Sequence, residues 1–135
     1  MKELDPFYSA LSDPAALASE IREDGMAIIG TLCSYVPDEL ILSAGFHPMR
    51  LFPGGTDTPL ADHHLQSYCC APVRGILEDH LAGRLDYLSG IVFPQACDTI
   101  MRLSDIWRLN ASLSFFFDLA WPSCLDTPEA KAYVI

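Results

Sequence analysis

Short apolar runs alternate along this chain with stretches in which apolar residues recur every three or four positions. Met26–Ile29 is a compact apolar run between two glycines, and Gly90–Pro94 is a second run that begins with a glycine and ends with a proline. Such runs are typical of strands that are buried on both faces. Two more strands are predicted at His47–Phe52, where the turn signal Pro53-Gly54-Gly55 follows, and at Leu113–Leu119.

Helix signals occupy the segments between these runs. Asp13 precedes a proline, Leu17 and Ile21 recur four positions apart, and Gly25 provides a stop. A helix is therefore predicted over 14–24. Further helices are predicted to begin at Pro37, at Pro72, at Asp98 and at Pro128.

Strands that alternate with helices imply right-handed crossovers and a parallel sheet. The predicted fold class is α/β, with a mostly parallel sheet flanked by helices in a Rossmann-like or flavodoxin-like arrangement. The 135 residues, of which 50% are hydrophobic, are enough for one core and one domain, 1–135. The last predicted helix opens at Pro128 with no strand after it. We therefore expect a fold that is cut short.

Acidic residues dominate the charge, because 18 Asp and Glu stand against 8 Lys and Arg and give a formal net charge of −10. Such a surface repels nucleic acids and anionic membranes, so neither is a predicted partner. Acids stand near the start, where a secretory signal would have basic residues, and the longest apolar runs are too short to cross a bilayer. The expected location is the cytoplasm.

The five cysteines are an odd number, and a reducing cytoplasm would leave them without disulfides. Cys33 follows the first predicted strand and Cys97 follows the third, while Cys69 and Cys70 stand just before the helix that begins at Pro72. In a parallel sheet, strand ends and helix N-termini meet at one rim, where ligands bind. The helix dipole would favour thiolates at Cys69 and Cys70. Thiolates gathered there would bind an iron–sulfur cluster or zinc.

No local motif fixes the cofactor. The chain has no CxxC pair, no ferredoxin-like cysteine spacing and no GxGxxG fingerprint after a strand. A nicotinamide cofactor is therefore not expected, and each cysteine can still be a small packing residue. His80 and Trp107 lie on apolar helical faces and are predicted to pack in the core. His63 and His64, at the end of a predicted loop, either line a site or are solvated.

Four segments taken together resemble one protein family. They keep their order and spacing from about residue 26 to the end, and they read GTLCSYVPDELI (30–41), AGFHPMRL (44–51), LQSYCCAPVR (65–74) and GIVFPQACDT (90–99). The pattern is similar to the N-terminal part of subunits of 2-hydroxyacyl-CoA dehydratases, such as the D-component of 2-hydroxyglutaryl-CoA dehydratase, and of benzoyl-CoA reductases.

The resemblance implies an enzyme of anaerobic metabolism with two related subunits, each holding a [4Fe–4S] cluster through three cysteines. An ATP-dependent activator protein would deliver one electron, for radical dehydration of a 2-hydroxyacyl-CoA or for reduction of an aromatic acyl-CoA. By resemblance, Cys33 matches the first cluster cysteine, and Cys70, with Arg74 four residues on, matches the second. Cys97 lies in the family's cysteine–aspartate segment, where it is either a third ligand or structural.

Subunits of this family extend for at least one further domain, which can supply a remaining ligand. The resemblance thus implies that 1–135 is an N-terminal fragment that is inactive alone, and we expect its uncovered apolar surface to self-associate. The alternative function is a stand-alone α/β module that binds acyl-CoA or another partner and uses its cysteines only for packing.

Overall fold

A parallel β-sheet forms the centre of the molecule. The computed structural model describes residues 4–134, apart from the side chains of Pro6 and Val134. The sheet in this range has four strands, which are β1 Ile28–Thr31, β2 His47–Arg50, β3 Gly90–Pro94 and β4 Phe115–Leu119. Every neighbouring pair is parallel, and the order across the sheet is β2-β1-β3-β4.

Helices connect and precede these strands. The described residues form six α-helices, which are α1 Asp5–Ser12, α2 Pro14–Glu23, α3 Asp38–Ser43, α4 Ala71–Leu81, α5 Asp98–Asn110 and α6 Pro128–Val134. A 3₁₀ helix, Ala61–His63, lies between β2 and α4. None of the helices described is long and apolar enough to cross a membrane.

The predicted α/β class is confirmed by this arrangement. The strand order 2-1-3-4 is that of the first four strands of a flavodoxin-like sheet, whereas a Rossmann sheet begins 3-2-1-4. Of the two arrangements that the sequence left open, the order therefore agrees with the flavodoxin-like one.

The strand predicted at 26–29 begins two residues later, at Ile28, and the closing turn of α2 takes up Met26. Gly25 adopts a φ of +82°, and the N–H of Met26 donates to the carbonyl of Ile21 at 3.3 Å. This is the way a helix commonly closes with a left-handed glycine. Met26 is accordingly exposed, and the buried strand begins only at Ile28.

The other predicted elements agree in position with those observed, within about two residues at each boundary. The strands predicted at His47–Phe52 and Leu113–Leu119 are shorter than expected, since they form pairs only over β2 and β4. Helix α1 and the 3₁₀ helix were not predicted. The helices expected from Pro37, Pro72, Asp98 and Pro128 are all present as α3, α4, α5 and α6.

The two faces of the sheet are covered unequally. Crossovers toward β3 and β4 place α4 and α5 on one face, where they form the large core around Trp107, Leu77 and Phe93. The crossover from β1 to β2 runs the other way and places α3 on the opposite face. There a small cluster contains Ile29 and Val92, with Ile41 of α3 packed against it.

Candidate functional site

The carboxyl ends of β1 and β3 lie side by side at the middle of the sheet. From β1 the chain goes to β2 on one side and then crosses to β3 on the other, so the connections diverge between these two strands. Ligands of open α/β sheets bind at this switch point, outside the strand ends. Cys33 comes two residues after β1, and Cys97 comes three residues after β3 and caps the N-terminus of α5.

A third cysteine reaches the same rim from α4. Cys70 is the N-cap residue of that helix and is exposed, whereas Cys69 is 6% exposed and belongs to the large core. The two neighbours thus have different environments, and only Cys70 has a thiol that a ligand could reach. Cys124, in the segment between β4 and α6, is also exposed.

The thiols of Cys70 and Cys97 both affect the pKa of Cys33. Burial raises the pKa of the Cys33 thiol above its usual value of 9.0, and the thiols of Cys97 and Cys70 raise this pKa further. Arg50 acts in the opposite direction. Cys70 and Cys97 thus lie within electrostatic range of Cys33, and we call the three residues the cysteine rim.

The raised pKa shifts Cys33 toward the neutral thiol, because burial disfavours charge and ionised neighbours repel one another. A bound cation would reverse this effect, since metal coordination deprotonates thiols. Within residues 4–134, no group of three or more His, Cys, Asp or Glu side chains is already arranged to hold a metal ion.

The backbone at Cys33 is in an unusual conformation. Its φ is +56°, and no other non-glycine residue in the described part of the chain has a positive φ. A left-handed conformation costs an ordinary residue about 1 kcal/mol and persists only where its surroundings impose it. Buried Leu32 and Val36 hold the loop on both sides of Cys33. The end of β1 therefore turns sharply at the cysteine itself.

Charged residues of α4 hold the preceding loop in place. The carboxylate of Glu78, only 5% exposed, accepts hydrogen bonds from the N–H groups of Leu60 and Ala61 at 2.8 and 2.9 Å. At the next position of the helix, the carboxylate of Asp79 accepts from the N–H of Gly54 at 2.7 Å and pairs with Arg84. These bonds fix the loop that leads into Cys69 and Cys70.

Arg74 extends this set of bonds from the first turn of α4. Its guanidinium donates to Asp62 and to Thr58, and the Arg74 hydrogen bond is the main reason why the pKa of Asp62 is lowered. Arg74 was singled out in the sequence only by resemblance, and its partners could not be seen there. His63 and His64 are exposed in the same segment.

A cleft of about 540 Å³ lies next to Cys33, and sequence reasoning missed it. Tyr35, Asp38, Arg50 and Trp121 are among its lining residues. Arg50 pairs with Asp38 at 3.3 Å, and the indole N–H of Trp121 donates to the carbonyl of Tyr35 at 2.9 Å. The cleft thus offers a cation and aromatic surface beside the rim. Tyr35 and Trp121, on two sides of this cleft, are 86 residues apart in sequence, so no local pattern could reveal it.

His80 packs in the core, as the sequence predicted. Its ring stacks on that of Trp107 with centroids 4.1 Å apart and planes 13° from parallel. Burial lowers the pKa of His80, although Asp86 and the backbone of Asn110 act in the opposite direction. Trp107 is fully buried. Neither residue belongs to the cysteine rim.

These features define a class of protein, an α/β protein with a parallel sheet and three cysteines at its switch point. The family model for 2-hydroxyglutaryl-CoA dehydratase, D-component, matches residues 33–135. The chain belongs to this family.

Curated relatives agree with the family. A benzoyl-CoA reductase subunit of Thauera aromatica is 33% identical over 107 residues, which are 78% of this chain and 28% of that protein. The (R)-2-hydroxyglutaryl-CoA dehydratase beta subunit of Acidaminococcus fermentans is 30% identical, again over 78% of this chain and 28% of the relative. The (R)-phenyllactyl-CoA dehydratase beta subunit of Clostridium sporogenes is 24% identical over 99% of this chain and 37% of the relative. The chain spans about a third of these relatives' length.

Proposed function

We propose that this chain forms part of an iron–sulfur subunit of a 2-hydroxyacyl-CoA dehydratase or benzoyl-CoA reductase, and that Cys33, Cys70 and Cys97 are its ligands to a [4Fe–4S] cluster. The observation that carries the proposal is that Cys33 follows β1, Cys97 follows β3 and Cys70 is the N-cap residue of α4, in a chain that belongs to this family. Sulfur is the donor that iron–sulfur clusters require. When bound, the cluster would supply one-electron chemistry.

The residues around the rim suit this role. Cys70 and Cys97 are N-cap residues of α4 and α5, so each thiol lies beside unpaired backbone N–H groups and the positive end of a helix dipole. Both features stabilise negative charge, which a cluster held by thiolates carries. The bonds from Glu78 and Asp79 to the preceding loop would keep Cys70 in position.

The wider assembly is part of the same proposal. Relatives named as beta subunits imply a partner subunit, and we infer that a related second subunit and an ATP-dependent activator protein act with this chain. The substrate would be an acyl-CoA, and the location the cytoplasm. We infer that the 135 residues alone are inactive, because they span only about a third of the length of the relatives.

The alternative, an acyl-CoA-binding module, is supported by the cleft beside Cys33. Coenzyme A carries anionic phosphates and an aromatic base, and the cleft offers the Trp121 ring together with Arg50, which would have to leave Asp38 to bind a phosphate. In this alternative function, the cysteines are not ligands. It predicts CoA binding that Arg50→Ala weakens and that replacement of the rim cysteines leaves unchanged.

Anaerobic reconstitution with iron and sulfide in the native polypeptide tests the main proposal. We expect a broad absorption at about 400 nm that Cys33→Ser, Cys70→Ser and Cys97→Ser each reduce strongly. Cys124→Ser is the matched control, because this thiol is exposed but is not among the groups that act on Cys33. Full absorption in the Cys33→Ser/Cys70→Ser double variant would contradict the assignment.

A further inference from the structure

The loop that carries Cys33 is not held by the packing of its own side chains. Leu32 and Val36 are buried at its two ends, but Cys33, Ser34 and Tyr35 between them are exposed. Cys33 nevertheless adopts a left-handed φ of +56°. Because such a conformation persists only where the surroundings impose it, a contact from elsewhere in the chain has to fix the loop between its buried ends.

Trp121 makes such a contact. Its indole N–H donates to the carbonyl of Tyr35 at 2.9 Å. Among the side-chain hydrogen bonds that residues 4–134 form, it is the only one that reaches 33–36 from another part of the chain. Tyr35 comes two residues after Cys33, so the bond restrains the backbone directly beside the left-handed turn.

The segment that contains Trp121 also holds the loop that carries Cys97. The carbonyl of Leu119, two residues before Trp121, accepts from the N–H of Gln95 at 2.8 Å, and Gln95 lies two residues before Cys97. Leu119 itself packs against the small cluster on the open face of the sheet. The chain from Leu119 to Trp121 therefore connects the Cys97 loop to the Cys33 loop, and we call it the clamp segment.

The bond from Trp121 can be removed without disturbing the core. Trp121 is 42% exposed and belongs to neither of the two hydrophobic clusters. One net hydrogen bond between uncharged groups changes an equilibrium by about fivefold, which is comparable to the cost of one left-handed residue. Loss of the bond should therefore release the Cys33 loop locally and leave the rest of the chain folded.

We propose that Trp121 is a positioning residue, which holds Cys33 in its left-handed turn and fixes this turn relative to Cys97 through the clamp segment. The inference rests on the proposed function for the use of these thiols as cluster ligands, whereas the restraint on the loop does not. An iron–sulfur cluster needs its ligand sulfur atoms to converge and its surroundings to keep them in place. A loosened Cys33 loop should therefore release iron faster.

Backbone ¹⁵N relaxation in the metal-free native polypeptide tests the restraint. Trp121→Phe keeps an aromatic ring but removes the donor, and we expect the order parameters of Ser34 and Tyr35 to fall from about 0.85 to below about 0.6. Leu125→Ala is the control, because Leu125 lines the same cleft but has no donor in its side chain, and it should leave both values unchanged. Circular dichroism confirms that each variant is folded.

An isostere separates the hydrogen bond from the packing of the ring. Benzothienylalanine, introduced at position 121 only, has the shape of tryptophan with a sulfur atom in place of the N–H group. It should loosen the loop as Trp121→Phe does, because both lack the donor. A loop that stays rigid with either replacement overturns the proposal.

Iron release from the reconstituted native polypeptide to a chelator tests the consequence for the cluster. We expect release to be about fivefold faster in Trp121→Phe and unchanged in Leu125→Ala. Unchanged release from a variant whose loop is loosened would overturn the positioning role. A cluster that forms while the loop of Trp121→Phe stays rigid contradicts this role alone, whereas a loosened loop in a polypeptide that never takes up a cluster supports the restraint and contradicts the proposed function alone.

Discussion

The two faces of the sheet differ in what covers them, and this difference decides which substitutions affect stability most. On the covered face, Trp107, Phe93 and Leu77 are fully buried beneath α4 and α5. On the open face, a small cluster leaves Phe115 and Phe117 about half exposed. The comparison teaches that the covered face provides most of the buried core, whereas the open face leaves large apolar side chains accessible.

Trp107→Ala should have the largest effect on the fold. The indole is fully buried, stacks on His80 and packs edge-on against Phe93. We expect the free energy of unfolding to fall by about 3–5 kcal/mol, because a large cavity remains. Leu109→Ala, at an exposed position of the same helix, should change it by less than about 0.5 kcal/mol. Urea denaturation measures the free energy of unfolding of both variants. A loss in Trp107→Ala as small as the loss in Leu109→Ala would contradict the account of the covered face.

Glu78→Ala should have the next largest effect, because it removes the acceptor for two N–H groups that point at α4. We expect a loss of about 2–3 kcal/mol and faster amide exchange at Leu60 and Ala61. Glu78→Gln keeps a carbonyl acceptor and should lose less. If exchange at Leu60 and Ala61 were unchanged in Glu78→Ala, the loop would not depend on this carboxylate.

His80 should make the covered face sensitive to pH. Its pKa is lowered from 6.5 by burial, and its Nε2 atom is buried without a hydrogen-bond partner in the part of the chain that the structure describes. The unfolded chain therefore takes up the proton more readily than the folded one. Stability is complete above about pH 6.5 and falls as the pH drops below this value toward the lowered pKa.

The measurement compares the pH dependence of unfolding in His80→Gln and in the unchanged chain. The variant should lose less stability than the unchanged chain between about pH 7 and about pH 5.5. His64→Gln, at an exposed position, is the control and should behave like the unchanged chain. Parallel pH profiles for all three chains would show that His80 titrates normally.

Phe117→Thr should have the smallest effect on the folded monomer. The residue is half exposed on an outer strand, and threonine keeps a good strand propensity. We expect a change of about 0.5 kcal/mol or less in urea denaturation at a concentration where the chain is monomeric. A loss close to that of Trp107→Ala would remove the distinction between the two faces.

Much of the fold could be predicted because its signals are local. The apolar run at Gly90–Pro94 is a strand in full, and the alternation of runs with helical stripes is enough to predict a parallel sheet. The start of β1 was misplaced, since the closing turn of α2 takes up Met26. Helix α1 was missed although Phe7 and Leu11 are spaced four apart, and both remain exposed.

The candidate site was predictable in part. Strand ends predicted that Cys33 and Cys97 would come to one edge, because a parallel topology fixes where they lie. The choice between Cys69 and Cys70 could not be made from helical spacing, since both precede the first helical residue of α4, and only the folded structure shows that Cys69 is buried. The bonds from Glu78 to the loop, and the pairing of Trp121 with Tyr35, depend on long-range geometry that no local pattern contains.

Thiol bridging tests the central claim, the proximity of Cys33, Cys70 and Cys97, most directly. The metal-free chain with Cys69→Ala and Cys124→Ser is treated with a bifunctional reagent that fluoresces only when it joins two nearby sulfur atoms, and the bridged peptides are mapped. We predict bridges from Cys33 to Cys97 or to Cys70, which unfolding in urea abolishes. Modification of the three thiols one by one, without any bridge in the folded chain, would contradict the account.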